Sequence, residues 1–306
     1  MRPPVAPSGE QFEITSGEQR ATIVEVGGGI RSYSVAERDV LDPYPLTAIC
    51  DGAHGAPLIP WPNRIRDGRY EFDGALHQLA ITEPPLHNAI HGFLRWRAWR
   101  PVERKPDRVV MGIRLHPLSG YPFALDVRVG YSLDEDGLTV ATTATNIGAQ
   151  TCPFGAGQHP YLSAAGALID GCTLELPAAT RILTDPERSL PAGSEPVEGT
   201  PFDFRRPRTI GDQAIDSPYT DLARDTDGLA TARLACADGS RVELWVDERY
   251  PYLELYTGDG LAPERRRRGL AVEPMTCPPD AFNSGEHLLR LAPGEAFSSR
   301  WGVRLR

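Results

Sequence analysis

The stretch LDVRVGYSLDEDGLTV, Leu125–Val140, decides how the rest of the chain is read. Leu125, Val127, Val129, Tyr131 and Leu133 alternate with polar or small residues. A period of two places one apolar row on one face of a strand. Asp134-Glu135-Asp136-Gly137 follows, and Leu138 and Val140 resume the alternation. A Gly near the end of the turn supplies the positive φ that a reversal needs, so a β-hairpin is expected.

The same period recurs along the chain. Ala232, Leu234 and Cys236 connect to Val242, Leu244 and Val246 through Ala237-Asp238-Gly239-Ser240. Val109, Met111, Ile113 and Leu115 form another row, and Phe297, Ser299, Trp301, Val303 and Leu305 close the chain. No stretch of about 12 residues keeps a helical apolar face free of Pro or Gly. Many short strands with frequent turn signals predict an all-β fold, a large antiparallel β-sandwich. There is no repeat of fixed period and no linker, so residues 1–306 are expected to form one domain. Residues 1–19 are expected to be a flexible or peripheral segment. The stretch 177–218, rich in Pro, Gly, Asp and Arg, is expected to be a long loop excursion.

Composition narrows the function. The 306 residues hold 32 Lys plus Arg against 41 Asp plus Glu, a formal net charge of -9. That balance argues against a nucleic-acid partner, which needs a concentrated basic surface. No apolar run approaches the roughly 18 residues of a membrane span, so no membrane partner is expected. The N-terminus has no apolar core of a secretory signal. Cys50, Cys152, Cys172, Cys236 and Cys277 are dispersed, odd in number and form no C-x-x-C pair. A reducing cytoplasm is expected, with neither a disulfide framework nor a zinc knuckle.

Three contexts could carry chemistry. In Pro60-Trp61-Pro62-Asn63-Arg64-Ile65, an Arg in a proline-bracketed turn can present its planar fork to a ligand's oxygens or form a surface ion pair. In His87-Asn88-Ala89-Ile90-His91-Gly92, two His lie four apart, but the zinc-protease pattern needs Glu where Asn88 stands. No acidic third ligand is near, so no metal is expected there. Lastly, His159 precedes Pro160 and Glu273 precedes Pro274. A residue before Pro is pushed toward extended backbone, a stiff mount for a catalytic group. A carboxylate at the end of the apolar run Gly269-Leu270-Ala271-Val272 needs a reason, since an unpaired buried charge is costly.

Taken in order, these segments resemble the aldose 1-epimerase (galactose mutarotase) family over roughly residues 20–305. The matching pieces are Asn63-Arg64-Ile65 with Gly68, Tyr70 and Phe72, then Asn88 with His91-Gly92. His159-Pro160-Tyr161, Ile215-Asp216 and Ala271-Val272-Glu273-Pro274 follow, then Pro279-Asp280-Ala281, Asn283 and Leu291-Ala292-Pro293-Gly294-Glu295. Trp61-Pro62, Leu162-Ser163 and Met275 depart from the family pattern around the sugar pocket and bear on substrate preference.

The resemblance implies a supersandwich of the galactose mutarotase type with a sugar-binding cleft. It implies His159 as general acid and Glu273 as general base. His91, Arg64, Asn63 and Asp216 would bind the sugar, with Asp221 a competitor for the role of Asp216. Trp61 and Tyr161, adjacent to matched residues, are candidates to cover sugar C–H faces. Trp96 and Trp99 are read mainly as packing.

The implied reaction interconverts α and β anomers of a free hexose by acid/base ring opening, each positioned proton transfer contributing about 10²–10⁴-fold. By reference pKa values Glu273 would be ionised and His159 protonated with help from neighbouring carboxylates. No cofactor is required. The partner is a small-molecule aldohexose, and a monomer and a homodimer are both open. One alternative is a hexose 6-phosphate mutarotase, supported only by the run Arg265–Arg268, which otherwise reads as a solvated loop. The others are a sugar-binding protein without catalysis and, more remotely, a metal-dependent sugar enzyme.

Overall fold

The computed structural model describes residues 5–306. The hairpin forms as the alternation demands. Leu125–Asp134 pairs antiparallel with Gly137–Asn146, Asp134 facing Gly137 across the turn. Leu125, Val127, Val129 and Tyr131 are fully buried. Each such side chain contributes roughly 1.5–3 kcal/mol by leaving water. Gly137 has φ +110°, and a Cβ there would meet the Val303 carbonyl oxygen at 2.5 Å. Both facts require glycine.

Around the hairpin grows a nine-stranded sheet. Its path runs from Arg100–Lys105 through Arg108–Leu115, Leu125–Asp134, Gly137–Asn146, Ala296–Leu305, Arg241–Val246 and Ala230–Ala235 to Thr173–Glu175 and Arg208–Thr209. A second, twelve-stranded sheet carries Tyr161–Ser163, Gly269–Met275, Tyr252–Tyr256 and Asp216–Leu222 side by side at its centre. Every strand pairing in the two sheets is antiparallel. Apolar residues of both sheets, such as Val127 and Leu255, belong to one continuous core. The chain is therefore an antiparallel β-sandwich. No helix among the described residues is long and apolar enough to cross a membrane.

Two stretches differ from expectation. Gln11–Ser16, inside the segment expected to be flexible or peripheral, is the edge strand of the larger sheet, with Phe12 and Ile14 in the core. Residues 1–4 of that segment lie outside the described residues. The expected loop excursion 177–218 contains the hairpin Ala178–Thr184 with Pro191–Pro196, and it ends in the strand that begins at Asp216. These strands close the far edge of the sheet and bury few of their residues, so they carry no alternation to read.

Candidate active site

Strand register builds the site. Glu254 and Glu273 are direct cross-strand partners, as are Asp216 with Tyr256 and Tyr161 with Ala271. Because side chains alternate, Asp216, Glu254, Tyr256, Glu273 and Tyr161 all fall on one face of the larger sheet. The opposite face carries Leu253, Leu255 and Val272 into the core. The polar face floors a cavity of about 290 Å³, walled by the segments around Gly52, Asn63-Arg64, Glu83 and His91–Arg95.

His159 reaches the same cavity from the chain just before Tyr161. Its backbone N–H donates to the Ala56 carbonyl (3.1 Å), and its carbonyl accepts from Gly55 N–H (2.8 Å). Next to it, the buried Gln158 amide donates to the Gly55 carbonyl (2.9 Å) and to the Tyr131 hydroxyl (3.3 Å). The decisive hairpin thus helps to fix the mount of a site residue. The imidazole stacks on Tyr161 at 4.9 Å between centroids, and Tyr161 stacks on His54 at 3.7 Å. His54 is held in turn by Asp42, which also receives Arg265.

His159 Nε2 and Glu273 Oε1 lie 3.1 Å apart, and both side chains are almost fully buried. Burial pushes the imidazole down to about 3, and the neighbouring His54 acts in the same direction. Burial lifts the Glu273 carboxyl well above its ordinary range; Asp216 adds to this and Arg64 opposes it. Both shifts run toward the neutral forms, against the ionised Glu and protonated His expected from reference values. Desolvation disfavours both charges. Among the described residues, His159 Nδ1 and Glu273 Oε2 have no hydrogen-bond partner.

Loops supply the remaining groups. Asn63 N–H donates to His91 Nδ1 (3.2 Å), and burial holds His91 well below its ordinary pKa. Neutral His91, accepting at Nδ1, therefore carries its proton on Nε2. Gly92, beside it, has φ +64°, and a Cβ would strike the Ile59 carbonyl oxygen at 2.0 Å. Arg64 grips Glu83 through Nε and Nη2 at 2.9–3.2 Å, and Asn88 Nδ2 steadies Glu83 at 3.1 Å. Asn63 Nδ2 donates to Glu254 Oε2 (3.2 Å). Burial, then Asp216 and Glu273, push Glu254 well above the carboxylate range. Burial also raises Asp216, with Arg64 opposing, although the residue keeps part of its surface exposed.

The chain matches the aldose 1-epimerase family model over residues 10–304. It belongs to the aldose 1-epimerase family. YihR, an uncharacterized protein of Escherichia coli K12, is 36% identical over 295 residues, covering 94% of this chain and 91% of that one. Galactose mutarotase of Sus scrofa is 30% identical over 291 residues, 87% of this chain and 82% of that one. A galactose mutarotase-like protein from Clostridium acetobutylicum shares the fold with a TM-score of 0.87 at 18% identity, covering 99% and 97% of the two chains. Galactose 1-epimerase from Lactobacillus acidophilus does so at 0.79 and 20%, covering 97% and 94%.

Seven of the residues that the sequence matched to an aldose 1-epimerase site line this one cavity: Asn63, Arg64, His91, His159, Tyr161, Asp216 and Glu273. Trp61 does not. Its ring is buried against Phe93 (4.8 Å) and Phe282 (5.8 Å), because flanking prolines turn it into the core. Asp221 lies in a separate groove and bonds Thr180. His87 is exposed and pairs with Asp67, so the two His four apart point to different surroundings. Among the described residues no group of three or more His, Cys, Asp and Glu is arranged to hold a metal ion.

Sequence reading missed Glu254, Glu83, Tyr256 and Arg95. Glu254 was findable by the signal that exposed Glu273: an acid inside the apolar strand Tyr252-Leu253-Glu254-Leu255-Tyr256. The run Arg265–Arg268 does not line the cavity. Arg265 pairs with Asp42, and Arg267 pairs with Asp170 and Asp259.

Proposed function

We propose that this protein is a cofactor-free aldose mutarotase acting on a free monosaccharide. The observation that carries the reading is the buried His159–Glu273 contact of 3.1 Å in a cavity of monosaccharide size. The hemiacetal oxygens O1 and O5 sit on one carbon, so two groups in direct contact reach both.

The ionic and neutral forms of the pair hold the same number of protons. The shared proton moves from the Glu273 carboxyl to His159 Nε2. The carboxylate then takes the proton from O1, and the imidazolium delivers its Nε2 proton to O5. The O1–H electron pair becomes the C1=O1 bond, and the C1–O5 pair stays on O5. The neutral pair is restored. After rotation about C1–C2, the reverse sequence closes the ring on the other face. Keeping charge off the resting pair places proton affinity near that of the reacting oxygens. Arg64, His91 and Asp216 hold the ring by hydrogen bonds to its hydroxyls.

The five cysteines are unpaired and buried. A cytoplasmic setting fits this reading, with an aldohexose such as glucose or galactose as the simplest substrate. Polarimetry of freshly dissolved α-D-glucose and α-D-galactose tests it. Wild type should equilibrate at least one sugar faster than buffer, and His159→Ala should remove most of the gain. Full activity in Glu273→Gln would refute the assigned base. Calorimetric sugar binding without any acceleration would favour a binding protein.

A further inference from the structure

His159 passes the proton in the mutarotase reading, on which this inference rests. Only one nitrogen of its ring is tied down. Nε2 meets Glu273 at 3.1 Å, while Nδ1 has no hydrogen-bond partner among the described residues. A catalytic imidazole is ordinarily aimed by a hydrogen bond at its second nitrogen. Without one, rotation about the Cβ–Cγ bond carries Nε2 away from the carboxyl, so another contact must fix the ring plane. We propose that His54 is a positioning residue, which aims His159 through the ring of Tyr161 that lies between them.

The three rings form a column. Tyr161 and His159 stack at 4.9 Å between centroids with 17° between planes, and Tyr161 and His54 at 3.7 Å with 7°. Two rings this near to parallel with Tyr161 cannot share one of its faces without overlapping, so the imidazoles take opposite faces. On this reading Tyr161 is the spacer of the column rather than a cover for sugar C–H faces. Its hydroxyl donates to the Gly52 carbonyl (2.9 Å), which keeps the spacer from sliding. His91 meets His159 edge-on at 5.4 Å, and an edge contact does not set the plane.

His54 is the fixed end of the column. Its side chain is almost fully buried, and both ring nitrogens have polar neighbours. Nδ1 lies 3.0 Å from the Asp51 carbonyl oxygen, which can only accept, so Nδ1 carries a proton. Nε2 lies 3.1 Å from Asp42 Oδ2 and 3.0 Å from Arg265 Nη2. Arg265 in turn donates to Asp42 Oδ2 (2.8 Å) and to the Pro43 carbonyl (2.8 Å), so it anchors the acid that holds His54. The segment that carries His54 also holds the backbone of His159. Gly55 N–H donates to the His159 carbonyl (2.8 Å), and His159 N–H donates to the Ala56 carbonyl (3.1 Å). A Cβ on Gly55 would meet the Ile30 carbonyl oxygen at 2.0 Å, so the segment is packed tightly against the strand beside it. One short stretch thus grips His159 twice, by its main chain directly and by its ring through Tyr161.

Aim governs proton transfer and not the hold on the sugar. A misplacement of about 1 Å costs a reacting pair on the order of 10²-fold. His54 does not line the cavity, so its loss should fall on kcat and spare KM. The charge of His54 also bears on His159, so the test must separate the flat face from the charge.

Polarimetry of glucose and galactose, joined to 13C relaxation of the His159 ring, tests the proposal in His54→Leu, His54→Phe and Asp42→Asn. His54→Leu fills the space without a flat face and should lower kcat by about tenfold or more, with KM within about twofold of wild type. His54→Phe restores the face without the charge and should return kcat to within about threefold of wild type. Asp42→Asn should fall between them. The His159 ring should be rigid in wild type, with an order parameter of about 0.85, and should drop below about 0.6 in His54→Leu. Equal losses of kcat in the Leu and Phe variants, or a ring that stays rigid in His54→Leu, overturn this inference and leave the mutarotase reading standing. A wild type that accelerates neither sugar overturns that reading, and the relaxation contrast still decides whether His54 positions the ring. If the His54 variants fail to fold, a mobile ring in wild type or an unchanged kcat in Asp42→Asn overturns the inference.

Discussion

Two faces of the same pair of strands carry opposite chemistry at the same depth. On Tyr252–Tyr256 and Gly269–Met275, the inward row is Leu253, Leu255, Leu270 and Val272, each fully buried. The outward row holds Glu254 and Glu273, each only 2% exposed. The inward row gains from leaving water. The outward row sets two carboxyls directly opposite each other, where like charges repel. Depth alone therefore does not separate core from site. The distinction lies in whether a buried polar atom has found a partner, and on the outward face several have not. Stability gathered on one side of the sheet supports a destabilised arrangement on the other.

The sharpest way to break this contrast is to remove the relay. Glu273→Gln should lower kcat/KM by about 10³-fold, within the range for a positioned proton transfer. The double variant His159→Asn/Glu273→Gln should lose at most about tenfold more, because the two groups act as one unit. Multiplication of the two single losses in polarimetric assays would show independent roles. The inward counterpart is Leu255→Ala. It should cost about 2–5 kcal/mol in denaturant unfolding. At temperatures where it stays folded, its mutarotation rate should stay within about twofold of wild type, since the residue faces away from the cavity.

Smaller effects sharpen the comparison. Asp216→Asn should reduce kcat/KM by about tenfold, the scale of one hydrogen bond to a charged group. Asp221→Asn, in the neighbouring groove, should leave it unchanged.

Glu254→Gln should act on stability through pH. The Glu254 carboxyl is raised in the folded state from 4.5. The stability it lends is complete below 4.5 and is lost as pH climbs toward the raised folded value. The Gln variant escapes that loss. Its Tm advantage over wild type should therefore be larger at pH 8 than at pH 5, by about 2–4 °C for each kcal/mol relieved. Equal differences at both pH values would mean that the carboxyl is not held protonated by the fold.

Alternation made the sheets legible, since a half-buried strand writes its orientation into every second residue. It left the far end of the larger sheet illegible, because Pro191–Pro196 has almost nothing to bury. His159 and Glu273 each stand before Pro, a weak signal alone, and it was the resemblance to the aldose 1-epimerase family that singled them out. Trp61 was misplaced for a related reason: bulk beside prolines resembles a binding surface, and only packing shows which way the ring turns. Arg95 was hidden among Arg95-Trp96-Arg97-Ala98-Trp99-Arg100, where three arginines look alike until one proves to line the cavity.

The cavity is assembled from parts of unequal permanence. Glu273 hangs on a strand hydrogen-bonded along both edges, whereas Asn63, Arg64, His91 and Arg95 all arrive on the contiguous stretch between Pro57 and Trp96. Inheritance can act on these parts separately. On the mutarotase reading proposed above, one short exchange in that stretch would re-address the molecule to a different monosaccharide and pass on the ring-opening pair untouched.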